Sequence, residues 1–445
     1  MRAIGFILIG AILACILCFS KKYITQVPIK SGKQHLSGMV ISLPAVMRRD
    51  TQFNLAAGHH RYRLKWYGQR GWLIPGQKWQ FFVKLKTRQM LCKSGALGYC
   101  LWLTAHQIDA VGYVKKGRLL ATSTFTFSDL LSRWRYQLKW HLLWPLLKPI
   151  PYHGVLLALV MGDRSGLSPA MWQVFTHTGT SHLLAISGLH IGLLAGLVYF
   201  VVRWVMSILT ILVPGLIVQT IAHVAALASA LGYLLISGGS VPTLRATTML
   251  ALFCLSRITL RFITLAEVWL FTLALMLVGD PFALLTASAG LSFTAIGILI
   301  YAVKHTRGMH RFARVGYIQW LFFWAMLPLM AFWFQQVSVV SIIANFIAIP
   351  FMSWFVVPPA MVGVMVAKSL PSLAVGCFKI ASVGFGWLWQ YLAFLANQRF
   401  WGHQISIDFE QFSFGVLAVV LLLAPRKLPG RWLGYLLLLP FIFYG

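Results

Sequence analysis

Acidic residues are nearly absent from this sequence. Only 8 Asp and Glu accompany 38 Lys and Arg in 445 residues, a formal charge of +30 at pH 7. Five of the acids follow residue 130: Asp163, Glu267, Asp280, Asp408 and Glu410. Proton- and sodium-coupled transporters keep carboxylates near the bilayer midplane. Here only Glu267 falls inside a predicted span, so coupling of that type is disfavoured. Glycosidase-like carboxylate pairs, a P-loop and a zinc signature are all missing. The six cysteines, at 15, 18, 92, 100, 254 and 377, form no CxxC beside a His cluster, and no His-x-His occurs among the 13 histidines. No metal and no cofactor is expected.

Charged residues make up 10% of the chain and apolar residues 59%, where soluble domains carry roughly 25% and 45–50%. That balance excludes intrinsic disorder and a nucleocytoplasmic enzyme, and it implies a polytopic membrane protein. Charge is also unevenly spread. Between Lys21 and Lys139 there are 21 basic residues and three acids, Asp50, Asp109 and Asp129. A compact region this basic seeks a polyanion, either nucleic acid or an anionic membrane surface.

Residues 1–20 hold Arg2 and an apolar run from Ile4 to Phe19. The run reads as a membrane anchor helix, with a cleaved signal peptide as the alternative; Ile12-Leu13-Ala14-Cys15 loosely resembles a lipoprotein cleavage box. From 34 to 126 the apolar period becomes two, clearest in Arg61-Tyr62-Arg63-Leu64-Lys65-Trp66, and Gly68, Gly71, Pro75-Gly76 and Gly112 supply turns. A small all-β domain is predicted, an oligonucleotide-binding (OB-like) barrel being a reasonable form of it. Arg61, Arg63, Lys65, Trp66, Arg70 and Lys78 are its candidate DNA-binding residues, with Tyr67, Trp72, Trp79 and Phe81 as further stacking partners. Alternatively, those aromatics form the core and the cations face headgroups. Cys92 and Cys100 bracket a short segment and pair as a disulfide if the compartment oxidises, or stay free thiols.

Residues 128–150, with Arg133, Arg135 and Lys139 among Trp134, Trp140 and Trp144, read as an interfacial amphipathic segment. Residues 151–445 then accommodate about ten spans, with candidate starts near Val205 and Trp354 among others. Within them, Ser168 before Pro169 predicts a short helix ending at Gly179. A second helix is predicted from Ser181, with Gly188, Gly192 and Gly196 as a strip for close helix approach. Ser187 and His190 share its face as a candidate pore lining; otherwise His190 only satisfies an interhelical hydrogen bond. The pair does not make an intramembrane serine hydrolase, because Ala185-Ile186-Ser187-Gly188 is no nucleophile elbow. Ser237-Gly238-Gly239-Ser240 breaks two apolar runs ahead of Arg245, which contacts a phosphate, snorkels to the interface, or pairs with Glu267. Asn345 and Pro350 mark another interruption.

Gly162-Asp163-Arg164-Ser165-Gly166-Leu167 together with Thr178-Gly179-Thr180 and the run from His182 to Gly192 closely resembles the signature of the ComEC family of bacterial competence proteins. Val241-Pro242-Thr243-Leu244-Arg245-Ala246, Asp280-Pro281-Phe282, Leu291-Ser292-Phe293 and Asn345-Phe346-Ile347-Ala348-Ile349-Pro350 follow in the family's order. The resemblance implies a multi-pass protein of the bacterial inner membrane that passes single-stranded DNA into the cytoplasm, with its OB-like domain outside. A competence DNA receptor, cytoplasmic DNA-pulling proteins, membrane lipids and a possible separate nuclease are the implied partners. Asp163, Arg164, His182, Ser187, His190, Arg245 and Asn345 are then candidate channel-lining residues. Many members end in a metallo-β-lactamase-like domain with His-x-His-x-Asp-His, which this chain lacks, so no nuclease activity is expected in it. Its rivals are a transporter or export component for a small or lipid-linked anion, and a non-transporting remnant.

Overall fold

The computed structural model describes residues 31–438 apart from 48–49, 69–72, 94–96, 122–126, 211–216, 260–262, 280–285, 307, 335, 339, 398–401, 405–408 and 424–431. The expected anchor at 1–20, and Arg70 and Trp72, lie outside the described residues.

Six strands open the described chain: β1 (Gly32–Val40), β2 (Ala45–Val46), β3 (Asp50–Ala57), β4 (His60–Tyr67), β5 (Lys78–Thr87) and β6 (Ala110–Ala121). They pair in the order β1-β5-β6-β4-β3-β2, and a further β1–β3 pairing closes a small barrel-like sheet. The β4–β6 ladder is parallel and the others antiparallel. The period of two in the sequence decides which side chains enter: Tyr62, Leu64 and Trp66 of β4 and Trp79, Phe81, Val83 and Leu85 of β5 are buried. Gly38 permits closure, since a Cβ there would collide with the Ala56 carbonyl oxygen. Two short helices, α1 (Arg88–Lys93) and α2 (Leu97–Ala105), fill the connection from β5 to β6.

Next, α3 (Phe127–Gln137) runs without a break through a wide π turn, Leu138–Leu143, into α4 (Trp144–Leu147). The helical expectation for this segment holds, but its polarity is turned inward. Leu130 and Trp134 are exposed, whereas Asp129 and Lys139 are each 2% exposed. Arg133 donates to the Pro75 carbonyl at 3.0 Å, tying this helix to the sheet.

The rest of the chain is helical. The elements are α5 (His153–Met161), α6 (Pro169–His177), α7 (Gly188–Leu209), α8 (Val218–Ser237), α9 (Val241–Ile258), α10 (Leu265–Gly279), α11 (Ala287–His305) and α12 (Arg311–Phe334). They continue with strand β7 (Gln336–Ser338), α13 (Val340–Phe351), a π turn Met352–Val356, α14 (Val357–Val366), α15 (Pro371–Ala396), strand β8 (Gly402–Gln404), α16 (Phe409–Leu423) and α17 (Leu433–Leu438). Among the described residues six helices are long and apolar enough to cross a membrane, fewer than the ten expected. Val205 and Trp354, which look like the starts of separate spans, lie inside continuous helical stretches, α7 and the α13–α14 run. Apolar content alone does not mark where a long helix is interrupted.

At about 1.5 Å per residue, α5 is too short to cross a hydrocarbon core of roughly 30 Å. Every residue from Gly154 to Met161 is buried. Tyr233 Oη donates to the Leu159 carbonyl at 2.6 Å and Ser382 Oγ to the Pro151 carbonyl at 2.6 Å. A short helix with free ends is tolerated at depth only when protein covers it and satisfies those ends.

Candidate nucleic-acid interface and membrane entrance

The outer face of the sheet is cationic. In β4, Arg61 is exposed and Arg63 and Lys65 are half-buried, all pointing away from the core. Register places Lys65 beside Tyr113 and Tyr113 beside Lys84; one step along, Arg63 lies beside Val111 and Val111 beside Lys86. The exposed Tyr113 thus stands between two rows of cations contributed by β4 and β5. Lys78 is exposed at the start of β5. Burial lowers the Arg63 guanidinium from its ordinary range, against a raising contribution from Tyr99. Its Nη2 donates to Gln52 Oε1 at 3.0 Å, and its Cζ sits 4.3 Å over the Trp102 ring.

Trp66 is 7% exposed and points inward. It packs edge-on against Trp79 at 5.6 Å and Phe81 at 5.4 Å. These three rings are barrel core, as their alternate strand positions allow, and cannot stack on bases. The exposed rings Tyr99 and Tyr113 escaped sequence reasoning because no local period separates them from their neighbours. Cys100 is disulfide-bonded; the side chain of Cys92 lies outside the described residues.

A second group of residues lies where α3 meets the helical bundle. The Lys139 ammonium is 2.5 Å from Asp163, with side chains 2% and 7% exposed. Burial works to raise the Asp163 carboxyl, but Lys139 and the Ser165 N–H hold it below the ordinary carboxylate range. Arg135 donates to the Ile236 carbonyl at 2.8 Å and to the Met161 carbonyl at 2.9 Å, so it satisfies the C-terminal ends of α8 and α5 together. Burial lowers its pKa while Asp163 opposes the shift. Arg164 points elsewhere, with its Cζ 5.9 Å over the Trp172 ring.

Ser168 caps α6 by accepting from Met171 N, and the helix ends at a left-handed Gly179, as expected. The expected helix from Ser181 does not form. A 3-10 turn, Ser181–Leu184, gives way to extended Ala185, and α7 starts only at Gly188. Ser187 is the N-cap of α7 and makes a capping box with His190 at 3.4 Å in each direction. The two therefore do not share a helix face, and His190 is 2% exposed. His182 hydrogen-bonds the Gly179 backbone. In the glycine strip only Gly188 is packed, 3.3 Å from the Ala246 methyl by its Cβ direction, while Gly192 and Gly196 meet nothing within 4 Å.

The break before α9 is as expected. Gly238 and Gly239 both take positive φ, and the Ser237, Ser240 and Thr243 hydroxyls cluster within 3.1–3.2 Å. Arg245, 2% exposed, donates to the Ser288 carbonyl at 3.4 Å and lies 5.0 Å over Phe293. It neither snorkels nor pairs with Glu267, which instead accepts from Thr264 at the start of α10. Among the described residues no carboxylate is within ion-pair range of Arg245. Asn345 Oδ1 and Thr247 Oγ1 are buried with no hydrogen-bond partner. Ser187, His190, Arg245 and Asn345 all belong to the first two turns at one end of their helices.

A basic, barrel-like β domain joined through buried cations to a bundle with six helices long and apolar enough to cross a membrane defines a membrane protein with an N-terminal β domain. The model of the competence protein family matches residues 159–428, and the chain belongs to that family. It is 29% identical over 382 residues to the competence protein ComA of Neisseria gonorrhoeae, covering 85% of this chain and 53% of that protein. Recombination protein 2 of Haemophilus influenzae is 27% identical over 294 residues, 63% of this chain and 36% of its own length. The ComE operon protein 3 of Bacillus subtilis is 26% identical over 288 residues, 62% and 34% respectively. The chain thus spans about half of ComA and about a third of the other two. No solved structure matches.

Proposed function

We propose that this chain is an inner-membrane channel component for DNA uptake, in which the β domain gathers a single strand outside and the polar helix ends around Ser187, His190, Arg245 and Asn345 admit it to the bundle. Family membership supports the process, and the observation that carries the reading is the pair of cationic rows flanking Tyr113. The strand circuit β1-β3-β4-β6-β5-β1, with its one parallel ladder, supports an OB-like barrel, the architecture that binds oligonucleotides across its second and third strands. Electrostatic attraction supplies affinity and carries no sequence preference, which suits a general conduit.

Orientation follows from the helix ends. Arg135 binds the α8 end at Ile236, so that end lies on the side that bears the β domain; β7 pairs β8, so the α12 and α15 ends share a side, and successive crossings by α9, α10, α11 and α12 bring that side to the same one. The described cations Arg203, Arg257, Lys304, Arg311, Arg314, Lys368 and Lys379 all belong to the opposite ends and are exposed or half-buried. By the positive-inside tendency those ends are cytoplasmic and the β domain is extracytoplasmic. In this role the chain performs no chemical step. A DNA receptor, a cytoplasmic pulling protein and a separate nuclease are its proposed partners.

The test is uptake of labelled DNA in a deletion strain, scoring DNase-protected DNA outside and inside the inner membrane separately. DNA that stalls outside until the chain is restored supports the conduit. Equal cytoplasmic entry with and without the chain rejects it, and binding of the protein to anionic vesicles in place of oligonucleotides then points to a lipid-linked or small anion.

A further inference from the structure

We propose that the β domain selects single-stranded over duplex DNA because it presents ring faces to unpaired bases, at Tyr113 and along a Tyr99–Trp102–His106 column. This rests on the reading above that the β domain binds DNA. Residues 99, 102 and 106 fall three and four apart, so α2 and the turn after it carry them on one face. Tyr99 and Trp102 are parallel within 4° with centroids 6.0 Å apart, and Trp102 and His106 stack at 4.2 Å. Arg63 lies over Trp102 from the barrel side, which joins the column to the cationic rows.

Exposure separates packing from display. Trp102 is half-buried and seats α2 against Arg63, but Tyr99 is 41% exposed and Tyr113 is 38% exposed. His106 is exposed at the other end of the column. Tyr113 stands between Lys65 and Lys84, which are one strand away on either side, about 4.8 Å each. A phosphate backbone held by those lysines brings its bases onto the intervening ring. Duplex DNA offers the same phosphates but keeps its base faces stacked, so only an unpaired strand gains from the rings.

The experiment uses the full chain in phosphatidylcholine nanodiscs, titrated with an oligothymidine 20-mer, an abasic strand of equal length and charge, and a 20-base-pair duplex. Wild type is expected to bind oligothymidine about tenfold or more tighter than the abasic strand, the scale of base–aromatic stacking. The Tyr99→Ala, Tyr113→Ala double variant is expected to bring the two strands to near parity with abasic affinity unchanged. Tyr99→Phe with Tyr113→Phe is expected to restore the preference, which separates lost rings from a damaged fold. Equal binding of both strands by wild type, or a preference that survives the alanines, overturns the ring site and leaves the charge-based reading standing. No salt-dependent binding of any probe overturns both.

Discussion

Lys139 and Asp163 meet at 2.5 Å inside the protein, a lysine from the segment after the β domain against an aspartate in the stretch that matches the competence family. Charges this buried are costly unless paired, and removing one partner strands the other. Replacing Lys139 by Met is therefore expected to destabilise the folded chain by about 3–5 kcal/mol. Lys139→Met with Asp163→Leu is expected to recover most of that loss. Thermal unfolding in detergent reads both. A single variant that melts like wild type would show that the pair contributes nothing.

The pair also sets an acid limit. Asp163 titrates below its ordinary range when folded, so its contribution is present above the unfolded carboxylate value of about 3.9 and is lost as pH falls through the lower folded value. Melting temperature is expected to stay level from pH 8 to 5 on this account and to drop below about pH 4. With only 8 acids in the chain, few other groups contribute to that limb. The Lys139→Met, Asp163→Leu variant is expected to show a shallower drop. An identical acid profile in the two proteins would remove Asp163 as its source.

Local patterns in the sequence carried much of this architecture. Alternation in 61–66 names the buried Tyr62, Leu64 and Trp66 together with the outward Arg61, Arg63 and Lys65, because strand side chains must alternate. Ser168-Pro169 and Gly238-Gly239 announce helix boundaries through capping and positive φ. What stayed hidden depends on contacts between distant residues. Tyr113 gains its setting only because β6 inserts between β4 and β5 in register, and Lys139 is buried only because Asp163, 24 positions later, faces it. The capping role of Ser187 was also out of reach, since helical spacing alone does not say on which residue a helix starts.

Salt dependence tests the cationic rows separately from the rings. Arg63, Lys65, Lys84 and Lys86 changed together to Gln remove up to four phosphate contacts. On single strands each contact contributes about 0.7 to the slope of log affinity against log salt concentration. The slope for oligothymidine is expected to fall by as much as about 3, in titrations from 50 to 300 mM salt. A slope that does not move assigns the DNA contact to another surface.

Orientation has its own check. A cysteine introduced at Lys368 or Arg311 is expected to react with a membrane-impermeant maleimide only in inside-out vesicles, and one at Lys115 only in intact spheroplasts. All three side chains are exposed, so accessibility reports the side of the membrane alone. Lys368 labelled from outside would invert the assignment of the β domain and remove its proposed role as the first contact for incoming DNA.

Arg245 offers the sharpest separation of passage from capture. It is buried about one turn into α9 without an acidic partner among the described residues, held by the Ser288 carbonyl and the Phe293 ring. A structural cation would normally be paired, since an isolated buried charge is expensive. Under the proposed function, Arg245 is the cation that a passing phosphate would meet. Arg245→Gln is expected to leave membrane insertion and oligothymidine binding unchanged while cutting cytoplasmic arrival of labelled DNA about tenfold or more. Arg245→Lys keeps a charge but loses the planar contact with Phe293, and it is expected to fall between the two. Cytoplasmic arrival at the wild-type level in the glutamine variant would make Arg245 a packing residue, and the entrance would then have to be sought away from the α9 end.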